Sequence, residues 1–317
     1  MNFKFIINLI IIIFFLSCDN TSTNPDNGTT TTGSGETNLI EIYYGSNNQE
    51  GQLSIANPNL DLRIILNHCS KVKKDIFFSN FTASDIDIIK FNHLFKRRLN
   101  HEPISKITNK KSFWKYDFYV NQNVIDPRPE TELIIEESLK LIKNTNKEIN
   151  ILDIGTGSGC LAISLAKEFK KSKVIAIDIS PDAIKVARKN IRLYNCKKQI
   201  SSRVSTLKFL NMKFDLIVSN PPYLSIKEYN KLSVEILKYE PKIAFLAGTD
   251  GLLYYKNFAR KLPKIMKNNS YLVMEIGENQ AKKCTDIFKN SSLKLIKKAK
   301  DLQKKDRILV FSKLYVD

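Results

Sequence analysis

Histidine is almost missing from this chain: His68, His93 and His101 are the only three in 317 residues, and all precede residue 102. The C-terminal two-thirds must therefore act without imidazole as base or metal ligand. Cysteine is sparse and odd in number. Cys18, Cys69, Cys160, Cys196 and Cys284 are widely spaced with no C-x-x-C pair, which argues against a disulfide framework or a zinc site and for a cytosolic globular part. Arginine is scarce beside lysine, 9 against 41. Planar phosphate and base readout favours Arg. The net charge of +18 thus reads first as solvated lysine faces, with pairs such as Lys73-Lys74 and Lys304-Lys305, and only second as an anionic partner such as nucleic acid.

What is present is enough for a true core: 43% hydrophobic residues over a length that accommodates one large α/β domain and a smaller one. Residues 1–18 stand apart. Lys4 precedes a short apolar run from Phe5 to Leu16, broken only by Asn8, and Phe15-Leu16-Ser17-Cys18 resembles a lipoprotein cleavage box. The run is too short for a comfortable membrane span and has signal-peptide proportions. Residues 19–52 are rich in Thr, Asn, Gly and Ser near their start and read as a low-complexity tether. The methionines are Met1, Met212, Met266 and Met274, so no internal Met offers a start near residue 50. The leader is either genuine or an artefact of the assigned start, or an unusual start codon lies inside. From residue 53 the pattern is helical at 59–68 and 82–99, with Ile86, Ile89, Phe91, Leu94, Phe95 and Leu99 mostly on one face. Residues 113–120 alternate as a hairpin would. Pro127-Arg128-Pro129 then leads into a helix over 131–143 with Glu130 and Glu132 in its first turn.

A strand–helix alternation follows. Strands are expected at 149–154, 174–179, 214–219, 271–276, 293–296 (weaker) and 307–312, and helices at 161–169, 181–195, 252–267 and 279–290. Strands separated by helix-length segments imply a doubly wound, mostly parallel sheet, which binds ligands outside the carboxyl ends of its strands.

Two loops at such ends carry chemistry. Gly155-Thr156-Gly157-Ser158-Gly159 directly follows the strand 149–154 and opens a helix. Its spacing is G-x-G-x-G and not the dinucleotide G-x-G-x-x-G, so a pyrophosphate is not favoured. Asp178 ends the next strand, where it can accept hydrogen bonds from ribose hydroxyls. A ligand with a ribose and no required phosphate is indicated, which fits S-adenosyl-L-methionine. Asn220-Pro221-Pro222-Tyr223 follows the strand 214–219. Neither proline can donate to a ladder, so the chain leaves the sheet stiffly and presents an amide, a backbone carbonyl and an aromatic ring.

Together, Asp153-Ile154-Gly155-Thr156-Gly157-Ser158-Gly159, Asp178 and Asn220-Pro221-Pro222-Tyr223 resemble a class I methyltransferase acting on a planar nitrogen. More closely, the chain resembles the release-factor glutamine N5-methyltransferases (PrmC/HemK type). The supporting segments are Asn57-Pro58-Asn59-Leu60-Asp61-Leu62-Arg63, Arg97-Arg98-Leu99-Asn100-His101-Glu102-Pro103-Ile104, Phe113-Trp114, Pro127-Arg128-Pro129-Glu130-Thr131-Glu132, Tyr239-Glu240-Pro241, Gly248-Thr249-Asp250-Gly251, and Asp301-Leu302 with Asp306-Arg307.

The resemblance implies a seven-stranded methyltransferase sheet over 131–317, a β-hairpin linker over 111–130 and a helical substrate-recognition domain over 53–110. It implies S-adenosyl-L-methionine held by Gly155, Thr156, Gly157, Ser158, Gly159, Asp178 and Asn220. The family's acidic–aromatic pair at the adenine is not matched in the shortened stretch 205–209, where Phe209 is the candidate aromatic. Asn220, Pro221, Pro222 and Tyr223 would bind the substrate, with Asn220, Pro221 and Tyr223 as the catalytic set and no metal. Glu130 and Thr131 either shape the pocket mouth or merely start a helix. The expected substrate is the Gln of the Gly-Gly-Gln loop of peptide chain release factors, acted on by a cytoplasmic monomer. A membrane partner follows only from residues 1–18. The alternatives are an amino-methyltransferase on adenine or guanine in DNA or rRNA, and a non-catalytic surface lipoprotein.

Overall fold

The computed structural model describes residues 57–72 and 83–313. The leader and tether expected over 1–52 lie outside the described residues. Among the described residues, no helix is long and apolar enough to cross a membrane. The chain divides into two compact units, with the break between Thr108 and Asn109.

The first unit holds α1 (Pro58–His68), α2 (Ile88–Leu99) and α3 (Ile104–Thr108). Asn57 caps α1 by accepting from the Leu60 N–H, and Asp87 caps α2 by accepting from the Lys90 N–H at 3.0 Å. That second cap breaks the helical pattern of 82–99, leaving a 3-10 turn at Ala83–Asp85 before it. Ile65, Leu66, Ile86, Phe91, Leu94, Phe95 and Ile107 form the core, while Ile89, expected on the same face, is exposed. Arg98 is buried and donates from Nε to Asp61 at 2.6 Å, and Arg97 pairs with Glu102. Asp61, Arg97, Arg98 and Glu102, from the segments 57–63 and 97–104, thus serve this unit's own packing.

The second unit opens with the hairpin β1 (Lys110–Phe113) and β2 (Tyr116–Tyr119), slightly earlier than the alternation implied, with Phe113 and Phe118 turned into the core. A 3-10 turn at Pro129–Thr131 precedes α4 (Glu132–Leu141). The main sheet is then built from β3 (Asn150–Ile154), β4 (Lys173–Asp178), β5 (Ile200–Val204), β6 (Phe214–Ser219), β7 (Met266–Glu275), β8 (Lys294–Lys300) and β9 (Asp306–Lys313). Its order is β5-β4-β3-β6-β7-β9-β8, parallel except for the antiparallel β7–β9 and β9–β8 pairs. Helices α5 (Cys160–Glu168), α6 (Pro181–Leu193), α9 (Leu253–Ile265) and α10 (Ala281–Phe288) cover it, and two short helices, α7 (Ile226–Tyr229) and α8 (Val234–Tyr239), follow β6.

Both faces of the sheet are apolar, as a sheet covered on two sides requires. Ile308 and Val310 point into the cluster with α4, α5 and the hairpin, while Leu309 and Phe311 join α9 and α10 on the other face. Two elements depart from expectation. β5 is an edge strand whose only aliphatic residues, Ile200 and Val204, sit at its ends, so its sequence carries no strand signal. β7 begins at Met266 and not near 271. Met266 pairs with Phe214, then the register shifts and Asn269 takes a φ of 55° before Tyr271 resumes pairing with Leu216. The interrupted start hides the first half of that strand.

The strand order places the carboxyl ends of β4, β3, β6 and β7 side by side. Sequential strands lie on opposite sides of β3, so the crevice above β3 and β6 is where such a sheet receives a ligand.

Candidate active site

A cavity of about 560 Å³ opens over these strand ends, within the range of a small-molecule site. One half is made by the loop after β3. Gly155, Gly157 and Gly159 all have left-handed backbone, with φ of 73°, 53° and 82°. A Cβ at Gly155 would meet nothing within 4 Å, so this backbone borders open cavity and a ligand can approach it closely. Gly159 is needed for a different reason: a Cβ there would lie 3.3 Å from that of Ala187 in α6. The loop is tied to β4 by the Gly155 and Thr156 N–H groups, which donate to the Ile177 carbonyl at 2.9 and 3.0 Å. Asp178 Oδ2 accepts from the Gly157 N–H at 3.0 Å, and Oδ1 from the Ser180 N–H at 2.9 Å. Burial raises the Asp178 carboxyl above its ordinary range, and those backbone donors oppose the shift. Each oxygen keeps lone-pair capacity toward the cavity that Asp178 lines.

Thr156 and Ser158 do not line the cavity. The Thr156 hydroxyl donates to the buried Asp153 at 2.6 Å. Ser158 is buried, and its carbonyl accepts from Asn190 Nδ2 at 2.8 Å. The same Asn190 amide also exchanges hydrogen bonds with the backbone of Tyr119 in β2. Asn190, an unremarked polar residue of α6 in the sequence, therefore locks the hairpin to the glycine loop. Phe209 does not join the site. It is 68% exposed in a 3-10 turn and is absent from the cavity wall, to which the same turn contributes Leu207 beside Thr206. The apolar lining from this turn thus comes from an aliphatic residue two positions earlier.

The other half is the Asn220–Tyr223 step after β6, and all four of its residues line the cavity. Ser219 donates to the Ile154 carbonyl at 2.8 Å, fixing this strand end to β3. The Tyr223 carbonyl accepts from Gln280 Nε2 at 2.8 Å. Leu224 and the chain at Phe245 and Ala247 exchange backbone hydrogen bonds that close the excursion through α7 and α8. Asn220 Nδ2 donates to Thr131 Oγ1 at 2.9 Å, and that hydroxyl donates to Glu275 Oε2 at 2.6 Å. Tyr223 donates its phenol to Glu275 Oε1 at 3.4 Å. Burial pushes the Glu275 carboxyl up to about 7, against the Thr131 hydroxyl and the Arg307 guanidinium, which favour the ionised form. Burial and Glu275 together hold the Tyr223 phenol well above its usual range. Glu130 lines the cavity. Thr131 works behind it, through Asn220. Glu275 was not singled out from the sequence, although an acid closing the otherwise apolar end of β7 was a signal.

The outer wall is apolar, with Leu232, Ile236, Pro241, Ile243 and Phe245 from the excursion after β6. Facing them are Asn123, Val124, Ile125 and Arg128. Glu240 joins the two sides, accepting from Arg128 at 2.7 Å and from the Asp126 N–H at 3.1 Å.

A strand order of this kind, with a ribose-suited acid beside an open glycine loop and a proline-stiffened amide across from it, defines a class I methyltransferase. A family model, the methyltransferase small domain, matches residues 131–245. The release factor glutamine methyltransferase of Fusobacterium nucleatum is 33% identical over 287 residues, covering 86% of this chain and 78% of that one. That of Caulobacter vibrioides is 30% identical, covering 86% and 95%. The chain belongs to the release factor glutamine methyltransferase family. It is also 37% identical to a bifunctional methyltransferase of Rickettsia typhi, but spans only 57% of that protein's length. The residues present fit S-adenosylmethionine, the cofactor of this class. Backbone bordering open space at Gly155 and Gly157 would let the cofactor approach the loop closely, and the Asp178 carboxylate in the same cavity would serve as its hydroxyl acceptor.

Proposed function

We propose that this protein methylates the side-chain amide nitrogen of a glutamine in a protein substrate, the Gln of the Gly-Gly-Gln loop of peptide chain release factors. The observation that carries the reading is the fixed Asn220 amide, whose Nδ2 is committed to Thr131, in a cavity shared with the glycine loop and Asp178. The names of the relatives aligned over most of this chain support the choice of nitrogen.

When bound, S-adenosylmethionine supplies a methyl group already activated on its sulfonium. The chain's own task is to make a poor nucleophile attack. An amide nitrogen shares its lone pair with its carbonyl, so it must be held and polarised and not simply brought near. With Nδ2 committed, Asn220 presents Oδ1 as acceptor, and Pro221 offers a carbonyl beside it. Two acceptors for the two N–H bonds of the target fix its plane and favour lone-pair density along the line of attack. Preorganised acceptors and in-line placement supply several kcal/mol without a strong base. Tyr223 provides a flat, half-buried surface against the target amide, and the apolar outer wall excludes water from it. Glu130 lines the approach.

The test is incubation of the purified chain with release factor and labelled S-adenosylmethionine, beside DNA and rRNA. Label on the loop Gln supports the reading. Label on nucleic acid alone replaces it with an amino-methyltransferase acting on a base, the alternative with which the +18 charge is compatible.

A further inference from the structure

We propose that Glu275 and Thr131 are positioning residues that decide which atom of the Asn220 amide faces the target nitrogen. The inference rests on the function proposed above and deepens it. An Asn amide has a donor end and an acceptor end of nearly equal shape, and only the acceptor end can receive an N–H. Asn220 cannot set its own direction. The hydroxyl of Thr131 has one proton, and it goes to Glu275 Oε2 at 2.6 Å. Toward Asn220 that oxygen can therefore only accept, and the 2.9 Å contact must come from Nδ2. Oδ1 is then the end turned toward the substrate.

The direction of the whole chain originates in the charge of Glu275, since an ionised carboxylate only accepts. A proton on Oε2 would reverse it. Glu275 would donate to Thr131, the Thr131 proton would turn to Asn220, and the matched partner there would be Oδ1. The amide would then offer its NH2 to the N–H of the target, donor against donor.

Several groups face Glu275. Arg307 of β9 and the phenol of Tyr223 favour the ionised form, while burial and Glu130 beside Thr131 favour the neutral one. Tyr255 of α9 sits at the Glu275 backbone carbonyl. The balance leaves the carboxyl at about 7, so the relay reverses near neutrality. A general base is not required of Glu275 in this account: it acts through Asn220.

The experiment uses the full chain, with release factor and S-adenosylmethionine. Thr131→Val is expected to lose about 10²-fold in kcat, the cost of a misdirected group at a reacting centre, with cofactor affinity unchanged. Thr131→Ser should retain most of the wild-type rate, because it restores the hydroxyl. Wild-type kcat should rise with pH through about 7, and Glu275→Gln should flatten that rise. An unaltered kcat in Thr131→Val, or the same pH profile in Glu275→Gln, overturns the proposal. If Thr131→Val does not fold, Thr131→Ser and the Glu275→Gln profile carry the test.

A readout independent of turnover is the side-chain amide resonance of Asn220 in isotope-labelled protein, located by its loss in Asn220→Ala. It should shift with pH in the wild type and not in Glu275→Gln, and a resonance insensitive to Glu275 contradicts the relay. A wild type inactive on every acceptor would count against the proposed function, whereas an active enzyme indifferent to Thr131 and Glu275 would count against the relay alone.

Discussion

The two halves of this one cavity are held by different means. On the cofactor side, the glycine loop and the Asp178 carboxylate are tied to one another within one strand–loop–strand unit: Thr156 to Asp153 across 3 residues, Ser180 to Asp178 across 2 and Gly157 to Asp178 across 21. On the acceptor side, the proposed acceptors are the Asn220 amide and the Pro221 carbonyl beside it, and the amide's support comes from 89 and then 144 residues away. A local unit of strand, glycine loop and strand keeps its shape wherever the sheet keeps those two strands. A relay joining β6, the turn before α4 and β7 exists only when the central sheet and its first covering helix are all assembled. Changes on the acceptor side should therefore alter transfer at constant cofactor affinity, and changes on the cofactor side should do the reverse.

The sharpest way to break that contrast is Asn220→Ala. Loss of the acceptor is expected to lower kcat by about 10³-fold, in the range of removing one preorganised group at an oxyanion-type site. Cofactor binding by calorimetry should stay within about fivefold, since a single neutral hydrogen bond is worth roughly 1 kcal/mol. Asp178→Ala is the mirror experiment. It removes a charged acceptor and should weaken cofactor binding about 30-fold, from the roughly 2 kcal/mol of charge-assisted hydrogen bonds, with kcat at saturating cofactor much less affected.

Gly251→Ala sharpens the comparison without touching a reacting group. Gly251 has φ of 73°, and a Cβ there would lie 2.5 Å from the Tyr223 carbonyl. The substitution should cost about 2 kcal/mol of stability by backbone strain and overpacking, read as a lower Tm. It should also displace Tyr223, so transfer falls while cofactor affinity holds.

A further expected effect is on stability against pH. Asp153 and Glu275 are both pushed up to about 7 by burial. An acid whose folded pKa exceeds its unfolded value binds more protons in the native state between the two, so these groups make the fold less stable as pH rises from about 4.5 to 7. Glu275→Gln removes one such charge. Its Tm relative to the wild type should increase from about pH 5 to pH 8, a sign opposite to its effect on transfer. A Tm difference that is flat with pH would show that Arg307 fully compensates the buried charge.

The same division explains what could be read from the sequence. The cofactor half lies within 153–180, where strand, glycine spacing and terminal acid follow one another, so periodicity and turn chemistry suffice to assemble it. The acceptor step was visible because two prolines end a buried strand, but the residues that orient it were not. Thr131 has no distinguishing pattern, and its importance comes from β7 passing near the start of α4. Glu275 and Gln280 sit where strand and helix signals stop. The short helices α7 and α8 fall below the length at which helical periodicity can be recognised, although Ser225 and Glu228 form a capping box that marks where α7 begins. Phe209 shows the opposite failure. Its residue type suited an adenine contact, but the short connection from β5 to β6 turns Leu207 inward and leaves Phe209 exposed.

The most direct measurement is mass-spectrometric mapping of a release factor after incubation with S-adenosylmethionine and either the wild-type chain or Asn220→Ala. One added methyl group is expected on the Gln of the Gly-Gly-Gln loop with the wild type, and none with the variant although it still binds the cofactor. Methylation of that Gln by Asn220→Ala at a rate near that of the wild type would contradict that expectation.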